Sequence, residues 1–294
     1  MTAHNTFCSE LSATHGEQLF GTGPDAKTIW LLLEYNALWG AKVFPESTLS
    51  APVKAHLSAF LDKTPSSNIL FIRQPGRVSD GIAFYVIVAT EENPHLYRFQ
   101  LNDYDDLLEL DFAAVAGGAV TEPVYDEQLY LVCTNSKRDA CCAKYGIGIY
   151  NELRQHVGNS AWQCSHIGGH RFAPTALFFP QGICYGRMNP NEAKSFVSLF
   201  REGQIALDYL RGRACYDRPT QAADALLRLE HNLTHVDDVQ FINSETMGAN
   251  EWSMQFRTKG ENKNIRLEKV TTDVEIYTSC FDDKTAFLEE FRLL

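Results

Sequence analysis

With 294 residues the chain is long enough for two domains and a small addition, and its 45% hydrophobic and 21% charged residues are ordinary for a globular protein. A formal net charge of −11 argues against nucleic-acid binding, because phosphate recognition depends on clustered lysine and arginine. The same charge suits docking to a protein partner with a basic surface. No stretch approaches the ~18 apolar residues that span a bilayer, so no membrane association is expected.

The cysteine content bears on the compartment in which the protein works. Eight cysteines are present, and two of them, Cys141 and Cys142, are adjacent. Such usage is more typical of a metal or redox site in a reducing compartment than of a secreted disulfide framework. The amino-terminal sequence also lacks the basic segment followed by an apolar run that a signal peptide requires. A cytoplasmic protein is therefore expected.

The first part of the chain predicts an arm followed by an α/β unit. Residues 1–24 are polar and punctuated by glycine and proline, which favours an arm outside the core. Residues 25–120 form the first unit. Their pattern predicts strands at 29–33, 68–73, 82–89 and 96–101, a helix at 51–62 and a short acidic helix at 103–112. The order is strand, helix, three strands, helix.

Residues 121–215 repeat that order. The pattern predicts strands at 128–133, 161–164, 176–179 and 183–185, with helices at 142–157 and 191–210. A strand–helix–strand half followed by a hairpin and a helix is the thioredoxin-like arrangement. We therefore expect an α/β protein with two tandem thioredoxin-like units, each with a small mixed sheet of its own and similar topology.

Residues 216–294 have a different composition and predict a small α+β appendix. A helix is expected at 220–230, and strands that are apolar on one face at 252–257, 265–270 and 274–280. No motif in this region points to a particular chemistry.

Two cysteines and two histidines in the second unit are the strongest functional signal. Cys133 ends a predicted strand, Cys142 opens a predicted helix, and His166 and His170 follow with Gly168-Gly169 between them. Two glycines disfavour a helix there, since each costs roughly 1 kcal/mol, and a loop is expected instead. Cysteine and histidine at this spacing hold zinc or iron–sulfur centres.

The surroundings of the cysteines favour the thiolate form. Thiolates at the start of a helix are stabilised by the helix dipole, and Lys137 and Arg138 precede that helix in the sequence. Cys141 leaves the first pair ambiguous by one residue. The remaining cysteines, Cys8, Cys164, Cys184, Cys215 and Cys280, are expected to be structural.

Several segments resemble one known family. CTNSKRDACCA, HIGGHRFAPTALFFPQG and CYGR resemble the sucrase/ferredoxin-like family, and FGTGPDAKTIWLLLEYNALWG is similar to the amino-terminal part of its bacterial members. The resemblance covers most of residues 17–215. It implies a thioredoxin-like ferredoxin with a [2Fe–2S] cluster, in which the histidines of an HxGGH motif replace the second cysteine pair.

Carried over to this sequence, the resemblance implies that Cys133 and Cys142 bind one iron while His166 and His170 bind the other. Cys141 stays the alternative to Cys142, which the spacing favours. Gly168, Gly169 and Arg171 would then lie next to the ligands, with Arg171 offsetting the negative charge of the cluster. The expected function is electron transfer to or from a redox protein partner, a carrier rather than a catalyst.

Two other functions remain open. The same four residues could form a structural Cys2His2 zinc site in a binding module, because zinc accepts these ligands in a tetrahedron. Cys141 and Cys142 could instead serve a thiol–disulfide oxidoreductase, although a vicinal pair is not the CxxC spacing of that chemistry. Glycoside hydrolysis would need two paired carboxylates, and no such pair stands out among 37 acidic residues.

Overall fold

The computed structural model describes residues 6–78, 81–119 and 124–294. Its strands are β1 (Ile29–Glu34), β2 (Ser67–Arg73), β3 (Ile82–Val88), β4 (His95–Leu101), β5 (Leu129–Cys133), β6 (Ala161–Cys164), β7 (Ala176–Phe179), β8 (Ile183–Tyr185), β9 (Leu210–Arg213), β10 (Val239–Gly248), β11 (Glu251–Thr258), β12 (Glu261–Tyr277) and β13 (Thr285–Leu293). Its α-helices are α1 (Cys8–Thr14), α2 (Val43–Glu46), α3 (Ala51–Lys63), α4 (Phe112–Ala116), α5 (Ala140–Val157), α6 (Ala193–Arg201) and α7 (Arg218–His231). Among the described residues, no helix is both long enough and apolar enough to cross a membrane.

Nine strands form one mixed sheet in the order β4-β3-β1-β2-β6-β5-β7-β8-β9. β1 and β2 are parallel, and so are β5 and β6, while β3 and β7 pair antiparallel with the first strand of their own half. Both halves therefore share one strand order. The α/β class predicted from the sequence is confirmed.

The sequence predicts a separate sheet for each half, and this prediction is wrong. β2 and β6 pair antiparallel through Ile72 with Cys164 and Arg73 with Gln163, which joins the halves edge to edge. Pairing satisfies the backbone groups of two strands that would otherwise be sheet edges. The expected boundary between the units, at residues 120 and 121, lies outside the described residues.

Successive side chains along each strand point to opposite faces of the sheet, so a part of the hydrophobic core lies on each face. Leu31 and Leu33 of β1 pack with Val53 and Leu57 of α3 on one face. The neighbouring residues, Trp30 and Leu32, point to the other face and join a cluster that includes Leu131, Trp162 and Leu177 from the second half. The halves therefore share a core as well as a sheet.

The helix predicted at 191–210 is shorter in the structure. α6 ends at Arg201, and Gly203 follows with φ +71°, a left-handed conformation that ends a helix and that glycine adopts at little cost. The chain then forms β9, which pairs antiparallel with β8. The sequence analysis missed this strand. The acidic helix predicted at 103–112 is a 3₁₀ helix at Tyr104–Glu109, with α4 beginning after it.

The amino-terminal segment is not an arm over its described part. Residues 8–14 form α1, which packs against the turn at His170–Phe172, and the Cys8 side chain is 1% exposed. The polar composition hides this helix because only its small side chains, Cys8, Ser9 and Ser12, are buried. Residues 1–5 lie outside the described residues.

The carboxy-terminal region contains α7 and an antiparallel sheet in the order β10-β11-β12-β13. Two strands predicted at 265–270 and 274–280 are one long strand, β12, with an irregularity between Thr271 and Glu275. β10 and β13 were not predicted, because most of their side chains are exposed or half-buried and show little periodicity. Beyond Tyr277 the chain runs back toward α5.

Candidate metal centre

The topology brings the ends of two parallel strands to one edge of the sheet. β5 ends at Cys133 and β6 at Cys164, and these two residues are register partners. α5 begins after β5, with Asp139 as its N-cap, whose carboxylate accepts from the backbone N–H of Cys141. The histidine loop follows β6. Because adjacent parallel strands end at the same edge, the cysteines and histidines of both segments meet there.

Three of the four expected ligands lie in direct reach of one another. The Sγ atoms of Cys133 and Cys142 are 3.8 and 3.6 Å from Nδ1 of His166, and all three atoms lie within 4.8 Å of one another. The cysteines are fully buried, and His166 is half-buried. α5 can approach this closely because of Gly146, where any Cβ would overlap the carbonyl of Cys133.

His170 lies beside this group but outside it. Its ring centroid is 5.5 Å from that of His166. Its Nε2 lies 2.6 Å from the carbonyl oxygen of Thr278, and the Asp139 carboxylate is 3.7 Å from the same nitrogen. Nε2 therefore carries the proton and donates to Thr278, which leaves a lone pair on Nδ1. That Nδ1 is buried and has no hydrogen-bond partner among the described residues.

The pKa values of the two buried thiols in this group shift in opposite directions. A hydrogen bond from Cys142, together with His166, holds the pKa of the Cys133 thiol well below its ordinary value in spite of burial. The hydrogen bond to Cys133 and burial raise the pKa of Cys142 far above its ordinary value. Burial also lowers the pKa of His170, which favours the neutral imidazole that metals bind.

A buried arginine supports the histidine loop. Arg211 on β9 is 1% exposed, and its guanidinium donates to the carbonyl of Gly168 at 3.1 Å and to the side chain and carbonyl of Thr22. Gly168 and Gly169 have φ of +88° and +70°, and a Cβ on Gly169 would lie 2.6 Å from Cζ of Arg211. The second glycine is therefore required by close packing. Sequence reasoning missed Arg211 because it lies on the unpredicted strand.

The other expected neighbours of the site contribute less directly. Lys137 and Arg138 lie exposed in the turn before α5, where the charge of Arg138 helps to lower the pKa of His170 after the larger effect of burial. Arg171 follows His170 but forms an ion pair with Glu17 at 2.6 Å. Its charge is balanced by this carboxylate.

The structure separates Cys141 from Cys142. Cys142 lies with Cys133 and His166, whereas Cys141 lies in a second buried group with Cys8, Asp139 and Cys280. The adjacent thiols therefore face different groups. Within the second group, hydrogen bonds with Cys8 and Ser9 lower the pKa of Cys141 to about 7, and burial raises the pKa of Cys280 to about 12.

Comparison with known proteins identifies the family of this chain. The profile of the family described as sucrase/ferredoxin-like matches residues 19–212, about two thirds of the chain, and the matched region includes Cys133, Cys142, His166 and His170. The chain belongs to the sucrase/ferredoxin-like family. The resemblance seen in the sequence is thereby confirmed.

Curated relatives of this family member are distant. "Altered inheritance of mitochondria protein 32" of Saccharomyces kudriavzevii is 27% identical over 96 residues, which cover 28% of this chain and 31% of the yeast protein, and the same protein from a named strain of that species matches equally. The chain thus spans less than a third of the length of these relatives. No solved structure matches significantly.

Residues outside the family match contact the histidine loop or belong to the second buried group of this sucrase/ferredoxin-like protein. Thr278, whose carbonyl accepts from His170, lies beyond residue 212, as does Cys280, while Cys8 precedes residue 19. A cavity of about 680 Å³ opens beside His170, between the histidine loop and the carboxy-terminal sheet. Another of about 780 Å³ lies elsewhere, around Tyr125, Gln128 and Gln181, and we attach no chemistry to it.

Proposed function

We propose that the protein transfers electrons through a [2Fe–2S] cluster, with Cys133 and Cys142 on one iron and His166 and His170 on the other. The observation that carries this proposal is the state of His170. One ring nitrogen donates to Thr278, and the opposite nitrogen is buried without a partner among the described residues. Buried polar atoms normally have partners, so an orphaned imidazole nitrogen beside two cysteines and a second histidine is typical of a ligand.

The distribution of the donors supports a two-iron group. Cys133, Cys142 and His166 offer atoms within 4.8 Å of one another, and His170 falls outside that set. One ion would not reach all four donors where they lie. A binuclear cluster needs a more extended set, two donors for each iron.

A bound cluster would supply a one-electron redox centre, and the surrounding residues would set its potential. Two neutral imidazoles leave the cluster less negative than two thiolates would, which makes reduction easier. The same exchange in Rieske centres moves potentials from about −400 mV to roughly −150 to +300 mV. Arg211, buried behind the histidine loop, adds a positive charge that favours the reduced state.

The charge of the chain is consistent with a protein partner. The formal net charge of −11 would attract a redox partner with a basic surface and repel an acidic one. The cavity between the histidine loop and the carboxy-terminal sheet is lined by His170. Of the four proposed ligands, His170 is therefore the one that solvent and a partner can approach through this cavity.

Anaerobic purification followed by an absorption spectrum and by iron and sulfide assays tests this proposal. We expect a red-brown protein with about two irons and two sulfides per chain. A colourless protein that binds zinc at Cys133 and Cys142, and that acquires no cluster on anaerobic reconstitution with iron and sulfide, would overturn it.

A structural zinc site is the second candidate, and one observation favours it. For bonds of about 2.3 Å to sulfur and 2.0 Å to nitrogen, a tetrahedral zinc ion places the two donors roughly 3.6 Å apart. The distances from Nδ1 of His166 to the two sulfurs are 3.6 and 3.8 Å. Zinc would leave Nδ1 of His170 unused, whereas the cluster would use it. His170→Ala should therefore abolish cluster assembly but leave zinc affinity nearly unchanged.

A further inference from the structure

Three buried thiols from distant parts of the chain meet beside the first turn of α5. Cys8 belongs to α1, Cys141 to α5, and Cys280 to the segment after β12. Their Sγ atoms lie 3.5 Å (Cys8 to Cys141), 3.3 Å (Cys141 to Cys280) and 3.5 Å (Cys8 to Cys280) apart. Each of the three side chains is at most 1% exposed. Three nearly equal separations form a triangle of sulfur atoms closed from solvent.

Asp139 closes this group on one side. Its Oδ1 is 3.8 Å from Sγ of Cys8 and accepts from the backbone N–H of Cys141, while Oδ2 accepts from the backbone N–H of Cys280. The carboxylate is fully buried. It adds an oxygen donor to three sulfur donors, and it is held in place by the same segments that carry two of the cysteines.

Hydrogen bonds to the sulfurs favour thiolates. The hydroxyl of Ser9 donates to Sγ of Cys141 at 3.2 Å, and the backbone N–H of Cys8 donates to Sγ of Cys280 at 3.4 Å. Donors of this kind surround metal-bound thiolates, where they partly offset the negative charge and fix the orientation of the ligands.

The triangle is slightly smaller than a tetrahedral zinc ion requires, since Zn–S bonds of ~2.3 Å at tetrahedral angles place two sulfurs about 3.8 Å apart. A point equidistant from the three sulfurs lies about 2.0 Å from each of them, so an ion about 1 Å out of their plane reaches the ~2.3 Å Zn–S distance. The fourth position of the tetrahedron can then be taken by the Asp139 carboxylate. Zinc accepts sulfur and carboxylate donors, and its structural sites are four-coordinate and closed to water.

We propose that Cys8, Cys141, Cys280 and Asp139 hold one zinc ion in a structural site separate from the Cys133–His170 centre. The ion fastens α1 and the segment after β12 to the amino-terminal end of α5. That segment also contains Thr278, whose carbonyl accepts from His170. The zinc site therefore fastens a segment that contacts one histidine of the first centre, but it supplies none of the four proposed ligands of that centre.

A disulfide is the competing explanation of the same geometry. It would join two of the three thiols and leave the third unpaired. The structure favours no pair, since the separations differ by only 0.2 Å, from 3.3 to 3.5 Å. Clustered cysteines with a carboxylate, rather than one close pair, favour a metal ion.

The test uses the full chain, expressed with added zinc and purified anaerobically, with zinc and iron measured per chain. Cys8→Ser and Cys280→Ser remove one ligand each, and neither residue belongs to the first centre. Cys215→Ser is the matched control, because Cys215 is half-buried and lies in neither of the two groups found among the described residues. Beyond any metal in the first centre, we expect about one zinc ion per wild-type chain. In both ligand variants we expect the zinc bound at the second site to fall by about tenfold or more.

The iron content and visible spectrum separate this proposal from the proposed function. If the first centre holds a cluster, both ligand variants keep it and lose only zinc. If the first centre holds zinc instead, wild-type protein has two zinc ions, the ligand variants have one, and Cys133→Ser also has one. Zinc loss in the ligand variants supports the second site in either case.

Zinc X-ray absorption of wild-type protein covers the case in which a variant fails to fold. We expect about three sulfur neighbours at ~2.3 Å and one oxygen at ~2.0 Å in protein whose first centre is occupied by iron. Unchanged zinc in both ligand variants would overturn the proposal. The proposal would also be overturned if the zinc had a single environment of mixed sulfur and imidazole ligands. A disulfide between two of the three cysteines, detected in protein that is alkylated without reductant, would overturn it as well.

Discussion

Alanine at Gly169 should disrupt the histidine loop, whereas alanine at Gly168 should be tolerated much better. Both residues have positive φ, so each substitution costs about 1–2 kcal/mol of backbone strain. They differ in what the new Cβ meets. At Gly168 no described atom lies within 4 Å, whereas at Gly169 the Cβ would lie 2.6 Å from Cζ of Arg211.

The displacement of Arg211 determines the difference in stability between the Gly169→Ala and Gly168→Ala variants. Its guanidinium donates to the Gly168 carbonyl and to Thr22, and it is buried, so a lost bond is not replaced by water. A hydrogen bond to a charged group contributes about 1.5–3 kcal/mol. If one such bond is lost, Gly169→Ala lowers the free energy of unfolding by about 2.5–5 kcal/mol, and Gly168→Ala by about 1–2 kcal/mol.

Urea denaturation followed by circular dichroism measures both values, and the visible absorbance per chain reports whether the metal centre assembles. We expect the absorbance to fall for Gly169→Ala and to persist for Gly168→Ala. If the two variants lose equal stability to within about 0.5 kcal/mol, the packing of Arg211 against Gly169 does not support the loop and the reasoning fails.

Three further predictions concern the centre itself. Cys142→Ala should abolish the iron–sulfur absorbance and Cys164→Ala should retain it, because Cys142 lies with Cys133 and His166 whereas Cys164 is in neither donor group found among the described residues; the reverse result in iron assays would exclude Cys142 as a ligand. Arg211→Met should lower the midpoint potential in a redox titration, since a buried positive charge favours the reduced cluster, and an unchanged potential would show that this charge is screened. The midpoint of wild-type protein should fall as pH rises, because reduction favours protonation of a ligating imidazole, and His166→Cys should weaken that dependence. A midpoint near −400 mV that is flat from about pH 6 to 10 would contradict histidine ligation.

The sequence alone contained the repeated architecture of the first 215 residues. Apolar runs and helical periodicity are local properties, and they placed β1 to β8, α3 and α5 close to their positions in the structure. The shared strand order followed from the order of elements, because a strand–helix–strand unit gives parallel neighbours and a short hairpin gives antiparallel ones. The candidate residues Cys133, Cys142, His166 and His170 were likewise found from their spacing.

The structure decided everything that depends on contacts between distant segments. Spacing alone left Cys141 and Cys142 nearly equivalent, and only the orientation of the first turn of α5 assigns them to different groups. The pairing of β2 with β6 could not be read from either strand, since both have the composition of buried strands whichever neighbour they have.

The residues around the metal centre show most clearly the difference between what the sequence determined and what the tertiary structure decided. In the contacts described above, Arg211, Thr278, Cys8 and Cys280 lie between 43 and 272 residues from their partners, and nothing near them in the sequence marks them. The sequence pattern placed Cys8 in a polar arm and Cys280 in a strand with no assigned function. Periodicity reports which face of an element is buried, but it does not report what that face contacts. The types of the candidate ligands were therefore determined by the sequence, and their environment by the tertiary structure.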